Sequence, residues 1–315
     1  MSTPGNRTVS VGLSVSIAET LALATAAVVT GSAGLRTQTV TSLADIAGGV
    51  FLLVGVVSSV RPADDRHPLG YGRERFFWSF VAAVAIFIGG FGAAVAETIQ
   101  ASLHPRPVGA YVLGYGVLAA VILLDTVSLV VGLRPLVASA RRRRVPVTTL
   151  LWHGTDPAVT TVVLSSAAGL TGGLLAAAGL AGRQVTGVAS LDAAASALIG
   201  LVLLATSIIL LHSNRELLTG RGVSLDQIAR MRAVVSRQPG VLAVPDIFAV
   251  VVGPASLIVD GDVVFDDQLD VPAVEAVIVS AARELRAELP AVTYVYLNPV
   301  AERRPRNAAG VPLRS

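Results

Sequence analysis

The chain has 315 residues, of which 53% are hydrophobic and only 14% charged, with a mean hydropathy of +0.70. A soluble globule carries charge on about a quarter of its residues, so this composition excludes one and indicates an integral membrane protein. The absence of cysteine excludes disulfides and thiolate metal ligands. The net charge of +3 comes from 24 basic residues, all arginine; they cluster at the ends of apolar runs, where membrane orientation rather than nucleic-acid binding accounts for them.

A hydrocarbon core about 30 Å thick needs about 20 residues of helix, and six runs qualify, at 11–29, 38–60, 76–101, 110–131, 158–179 and 188–211. Residues 1–10 are expected to form a cytoplasmic tail without the features of a cleaved signal. Arg61, Arg66, Arg73 and Arg75 follow the second run, and Arg134 with Arg141, Arg142, Arg143 and Arg144 follows the fourth. Both loops are therefore expected in the cytoplasm, and with an even span count both termini lie there too. This expectation places the protein in the cell membrane, with a six-helix domain over 11–212.

Composition changes after His212 to that of a small soluble domain, expected over 213–300 and followed by a disordered tail, 301–315, rich in Arg, Pro and Gly. Ser224 is a candidate N-cap for a helix with Leu225, Ile228, Met231 and Val235 on one face, ending before Pro239 and Gly240. Two strands, 241–252 and 257–265, meet at a Gly253-Pro254 turn. A second helix is expected over 271–289 and a third strand over 292–297. The predicted fold is thus a membrane α-helical bundle of six transmembrane helices followed by a cytoplasmic α+β domain of order α-β-β-α-β.

Asp45 lies inside the second run. A carboxylate in hydrocarbon costs roughly 2.5 to 3.5 kcal/mol on insertion scales, so such a residue is by default a site for an ion, a proton or a substrate. The alternative is a buried carboxylate hydrogen-bonded to neighbouring Ser or Thr. Glu19, Glu97, Asp125 and Asp192 are further acids within apolar runs; each either joins an ion or proton path or pairs inside the bundle. No nucleophile, base and orienting group occur at a recognisable spacing, and no phosphate-binding glycine pattern is present, so an enzyme or an ATP-driven pump is not indicated.

Thr30-Gly31-Ser32, Ser42-Leu43-Ala44-Asp45 and the segment from His67-Pro68-Leu69-Gly70-Tyr71-Gly72-Arg73 through Trp78 resemble the cation diffusion facilitators. Asp192 to Gly200, Glu216 to Gly220, Pro239-Gly240-Val241 and Tyr296-Leu297-Asn298-Pro299 extend the resemblance along most of the chain. It implies a homodimeric exporter of a divalent metal ion, usually in exchange for protons, with the metal as transported substrate and no tightly bound cofactor. It also implies a transport site in which the second and fifth spans each give two ligands. Asp45 fills one of those positions and Thr41 another, whereas the fifth-span positions fall on Leu164 and Ser165.

Asp45, Thr41 and Ser165 therefore form the expected metal site, one carboxylate with two hydroxyls. Such oxygen ligands suit Mg, Mn or Ca better than Zn. Asp45 could instead carry protons alone, or the chain could be a transport-deficient dimer partner or regulator of an active relative. His153, Asp156, Asp125 and Asp192 are secondary candidates. Asp156 precedes Ser165 by nine residues, about 13 Å of helix, so His153 and Asp156 are either an entry or release site or an interfacial pair favouring the N-terminus of the fifth span. Asp64 and His67 resemble part of an accessory site that Tyr71 leaves incomplete, against which stands a solvated, capped connection. The α+β domain is read as a dimerisation module, with the bilayer, a divalent cation and protons as the other partners.

Overall fold

The computed structural model describes residues 4–104, 106–143, 146–148, 157–254 and 256–301. Six long helices are followed by a small α+β unit: α1 (Pro4–Thr30), α2 (Ala33–Ser59), α3 (Glu74–Leu103), α4 (Tyr111–Arg143), α5 (Pro157–Thr186) and α6 (Ser190–Leu218). Helix α1 begins ahead of residue 11, because a helix can continue past the apolar run that marks its membrane segment. Among the described residues, α2 to α6 each carry a stretch long and apolar enough to cross a bilayer, and α1 contributes a shorter apolar stretch, Ser16–Thr30. The expected apolar helices followed by an α+β unit are thus present.

The turn from α1 to α2 depends on Gly31, whose φ is +74° and whose missing Cβ would lie 2.5 Å from the Pro107 carbonyl oxygen. Any side chain there would meet both the strained backbone and a fixed neighbour. Ser32 then caps α2 by accepting from the Leu35 amide at 3.4 Å. Small residues bring the helices together: a Cβ on Gly34 would lie 3.2 Å from Ala176 Cα in α5, and one on Gly179 would overlap the Ala195 Cβ of α6. Buried hydroxyls tie α2 to its neighbours, with Thr20 of α1 bonded to Ser42 at 2.6 Å and Thr37 bonded to Ser196 of α6. Such interhelical bonds replace water where none is available.

Helix α3 contains a π-helical turn over Ile86–Phe91, and its Gly89 lies against Ala44, the neighbour of Asp45. Turns of this kind are frequent at functional sites.

The α+β unit comprises α7 (Leu225–Ser236), β1 (Val241–Gly253), β2 (Ser256–Phe265), α8 (Val271–Glu288) and β3 (Val292–Pro299), in the expected α-β-β-α-β order. Ser224 and Gln227 form a reciprocal capping box at the start of α7. The sheet order is β1-β2-β3, with β1 and β2 antiparallel and β2 and β3 parallel. A parallel pair needs a crossover, and α8 supplies it. Met231, Val235, Ile247, Val259 and Leu285 form the core between helices and sheet.

Phe76 and Leu217, from the ends of α3 and α6, belong to the same apolar cluster. Phe76 is therefore a core residue, whereas Phe77 is exposed, and Trp78 stacks on Phe51 while donating to Glu74 at 2.8 Å. The linker after α6 continues this join, since the Val251 amide donates to Arg221 and the Val223 amide to Ala249. A Cβ on Gly72 would lie 2.8 Å from the Val252 carbonyl oxygen. Gly72→Ala is therefore expected to push the 61–73 loop off the end of β1. Limited proteolysis checks this: the variant is cut faster in that loop, while cutting elsewhere is unchanged.

Candidate functional site

Gln38, Thr41 and Asp45 occupy α2 at spacings of three and four residues and so share one helix face. Gln38 and Thr41 are buried and Asp45 is half-buried. Gln38 donates to the Gly169 carbonyl oxygen at 3.3 Å, while Gly34 lies against Ala176, so α2 and α5 run antiparallel in a defined register. Continuing that register puts Thr41 and Asp45 level with the turn of α5 that carries Ser165. The Thr41 hydroxyl donates to the Thr37 carbonyl oxygen at 3.0 Å, leaving its lone pairs available as a ligand.

Among the described residues no hydrogen-bond donor or base is paired with Asp45. The charges near it are of its own sign, since Asp125 of α4 and Glu19 of α1 lie within electrostatic reach. Asp125 also feels Glu19. The bundle thus gathers three acids from three helices without a described basic partner. Among the described residues, no three His, Cys, Asp or Glu side chains converge closely enough to hold a metal ion. A cation at Asp45 would be completed by hydroxyl, amide or water oxygens, a donor set for hard ions.

The remaining acids are otherwise engaged. Asp192 is fully buried and accepts from the Ser32 hydroxyl at 2.8 Å, the Ala33 amide at 2.6 Å and the Gly34 amide at 3.2 Å, with Arg183 at 3.7 Å. It thereby ties the start of α6 to the positive N-terminus of α2. Glu97 pairs with Arg36. His153 and Asp156 lie outside the described residues.

In the loop before α3, Asp64 accepts from the His67 amide at 2.7 Å, the Arg66 amide at 3.0 Å and the Tyr71 hydroxyl at 2.7 Å. This is a capped connection. The Tyr71 hydroxyl, with the His67 and Arg66 amides, holds the Asp64 carboxyl below the usual carboxylate range. A lowered value in the folded state means that the ordering persists at neutral pH and is lost only as pH falls through the lowered value.

Three features lay beyond the sequence reading: Gln38 as a buried amide, the glycine face of α5 at Gly169 and Gly172, and the π-helical turn beside Ala44. Only the Gly89-Gly90 pair gave any signal for the last.

Apolar helices long enough to cross a bilayer, with acids gathered between them, define a multi-pass membrane protein. The cation efflux transmembrane domain matches residues 9–219, well over half the chain, and the chain belongs to that family, the cation diffusion facilitators. The mitochondrial proton-coupled zinc antiporter SLC30A9 of Xenopus laevis is 29% identical over 242 residues, 77% of this chain and 43% of that protein. Metal tolerance protein C4 of Arabidopsis thaliana is 29% identical over 235 residues, 75% of this chain and 51% of its own length. Magnetosome protein MamM of Paramagnetospirillum magneticum is 30% identical over 101 residues, 31% of each chain. The chain spans about half the length of the first two relatives.

Proposed function

We propose that the chain is a secondary transporter that exports a divalent metal cation from the cytoplasm in exchange for protons, by alternating access around Asp45. The supporting observation is the environment of that carboxylate, set within a spanning helix, without a described partner and with two further acids in electrostatic reach. Thr41 on the same face and Ser165 on α5 complete its oxygen ligands. Similarity to a protein named as a proton-coupled zinc antiporter supports the exchange with protons. Rocking of the bundle would turn Asp45 to each side of the membrane, a proton replacing the cation on the return.

The arginine-rich loops after α2 and α4 support a cytoplasmic location for their end of the bundle and for both termini, in a protein of the cell membrane. The α+β unit would join two copies of the chain, and its outer sheet face leaves Phe248 and Tyr296 exposed for that contact. Liposomes containing the purified chain are expected to acidify or alkalinise when a gradient of Mn, Mg, Zn or Ca is applied. No proton movement with any of these ions would contradict the proposal.

A second reading is favoured by Leu164 and Ser165 standing where α5 would carry ligands: the chain would be a transport-deficient partner or regulator of an active relative. It predicts that a complete family member copurifies from the native membrane and that Asp45→Ala has no phenotype.

A further inference from the structure

Gln38 is 3% exposed, and its amide orientation follows from its surroundings. Nε2 donates to the Gly169 carbonyl oxygen at 3.3 Å, and reversing the amide would set oxygen against oxygen. This leaves Oε1 as a buried acceptor without a partner, and Oδ2 of Asp125 is another. Both lie against α5. A Cβ on Gly172 would be 2.6 Å from Gln38 Oε1, and one on Gly169 would be 2.7 Å from Asp125 Oδ2. Helix positions three apart are neighbours, with Cβ sites about 5–6 Å from each other, so the two unpaired acceptors cover adjoining positions of one helix.

Native structures rarely leave buried acceptors without a donor or a cation. Among the described residues the arginines nearest in the bundle are engaged elsewhere, Arg36 with Glu97 and Arg183 beside Asp192. Glu19 adds negative charge near Asp125. The occupant that fits is positively charged and accepts oxygen ligands. We propose that Asp125 and Gln38 form a second cation site on the Gly169 and Gly172 face of α5, taking a hard divalent cation that keeps part of its water. This rests on the reading of the chain as a cation transporter, and it draws from α4 a carboxylate that α5 lacks.

The site is distinct from Asp45, since Gln38 and Asp45 are seven residues apart, about 10 Å along α2. The ion would therefore have two oxygen stations along one stripe of that helix, and carboxylate with amide oxygen favours Mg or Mn over softer ions.

Binding of Mn(II) to the purified full-length chain, followed by electron paramagnetic resonance, tests the proposal. The wild type is expected to bind two ions per chain. Asp125→Asn and Gln38→Leu should each weaken one of them at least tenfold and leave the other, which Asp45→Asn removes. Gly172→Ala, which changes no ligand, should weaken the same ion as Gln38→Leu by crowding Oε1. Gln38→Glu should tighten it, whereas a merely structural amide would show no gain in Mn affinity. Thermal unfolding of each variant separates lost binding from lost fold. If wild type binds one ion that depends on Asp45 alone, with Asp125→Asn, Gln38→Leu and Gln38→Glu unchanged, the second site is wrong and the Asp45 reading stands. If wild type binds none, both fall.

Discussion

Asp45→Ala is expected to reduce cation-dependent proton movement in proteoliposomes to the level of empty vesicles, the largest functional effect of any substitution considered. Asp45 is the carboxylate of the expected site, and alanine removes both the charge that attracts the ion and the oxygens that replace its water. Glu19 and Asp125 remain in the variant, but like charges near an absent ligand do not rebuild it. Asp45→Glu should retain part of the flux, because the charge remains and its position moves by one methylene. Flux measured with a pH-sensitive dye under matched protein loading checks both variants.

The largest effect on stability is expected at Asp192. Replacing it by alanine leaves the Ser32 hydroxyl and the Ala33 and Gly34 amides without an acceptor in a fully buried position. Each unsatisfied buried group costs about 1–3 kcal/mol, so a loss of roughly 3 kcal/mol or more is expected. Thermal unfolding of the purified protein in detergent reports it as a lower midpoint. Ser32→Ala removes the helix cap but keeps the carboxylate on both amides, and it should cost about 1 kcal/mol. The contrast separates the interhelical tie from the local cap.

The sequence was informative where local chemistry decides structure. Ser224 announced the cap of α7 and Gly253-Pro254 the hairpin. Asp45 was conspicuous because charge is rare in an apolar run. Tertiary facts were less legible. In a bilayer both the lipid-facing and the bundle-facing sides of a helix are apolar, so periodicity does not show that Gln38 and Asp125 turn toward the glycines of α5. Nor can spacing show that Asp192 caps a helix 158 to 160 residues earlier in the chain. The parallel pairing of β3 with β2 followed only once α8 was seen to cross between them.

The central claim is that a divalent cation binds at Asp45. An anomalous difference map from crystals of the full chain grown with manganese tests it most directly. The account predicts a peak at coordination distance, about 2.0–2.3 Å, from an Asp45 oxygen, with hydroxyl, amide or water oxygens completing the shell. A map without a peak there, and with the Asp45 carboxylate instead hydrogen-bonded to neighbouring Ser or Thr side chains, would contradict it.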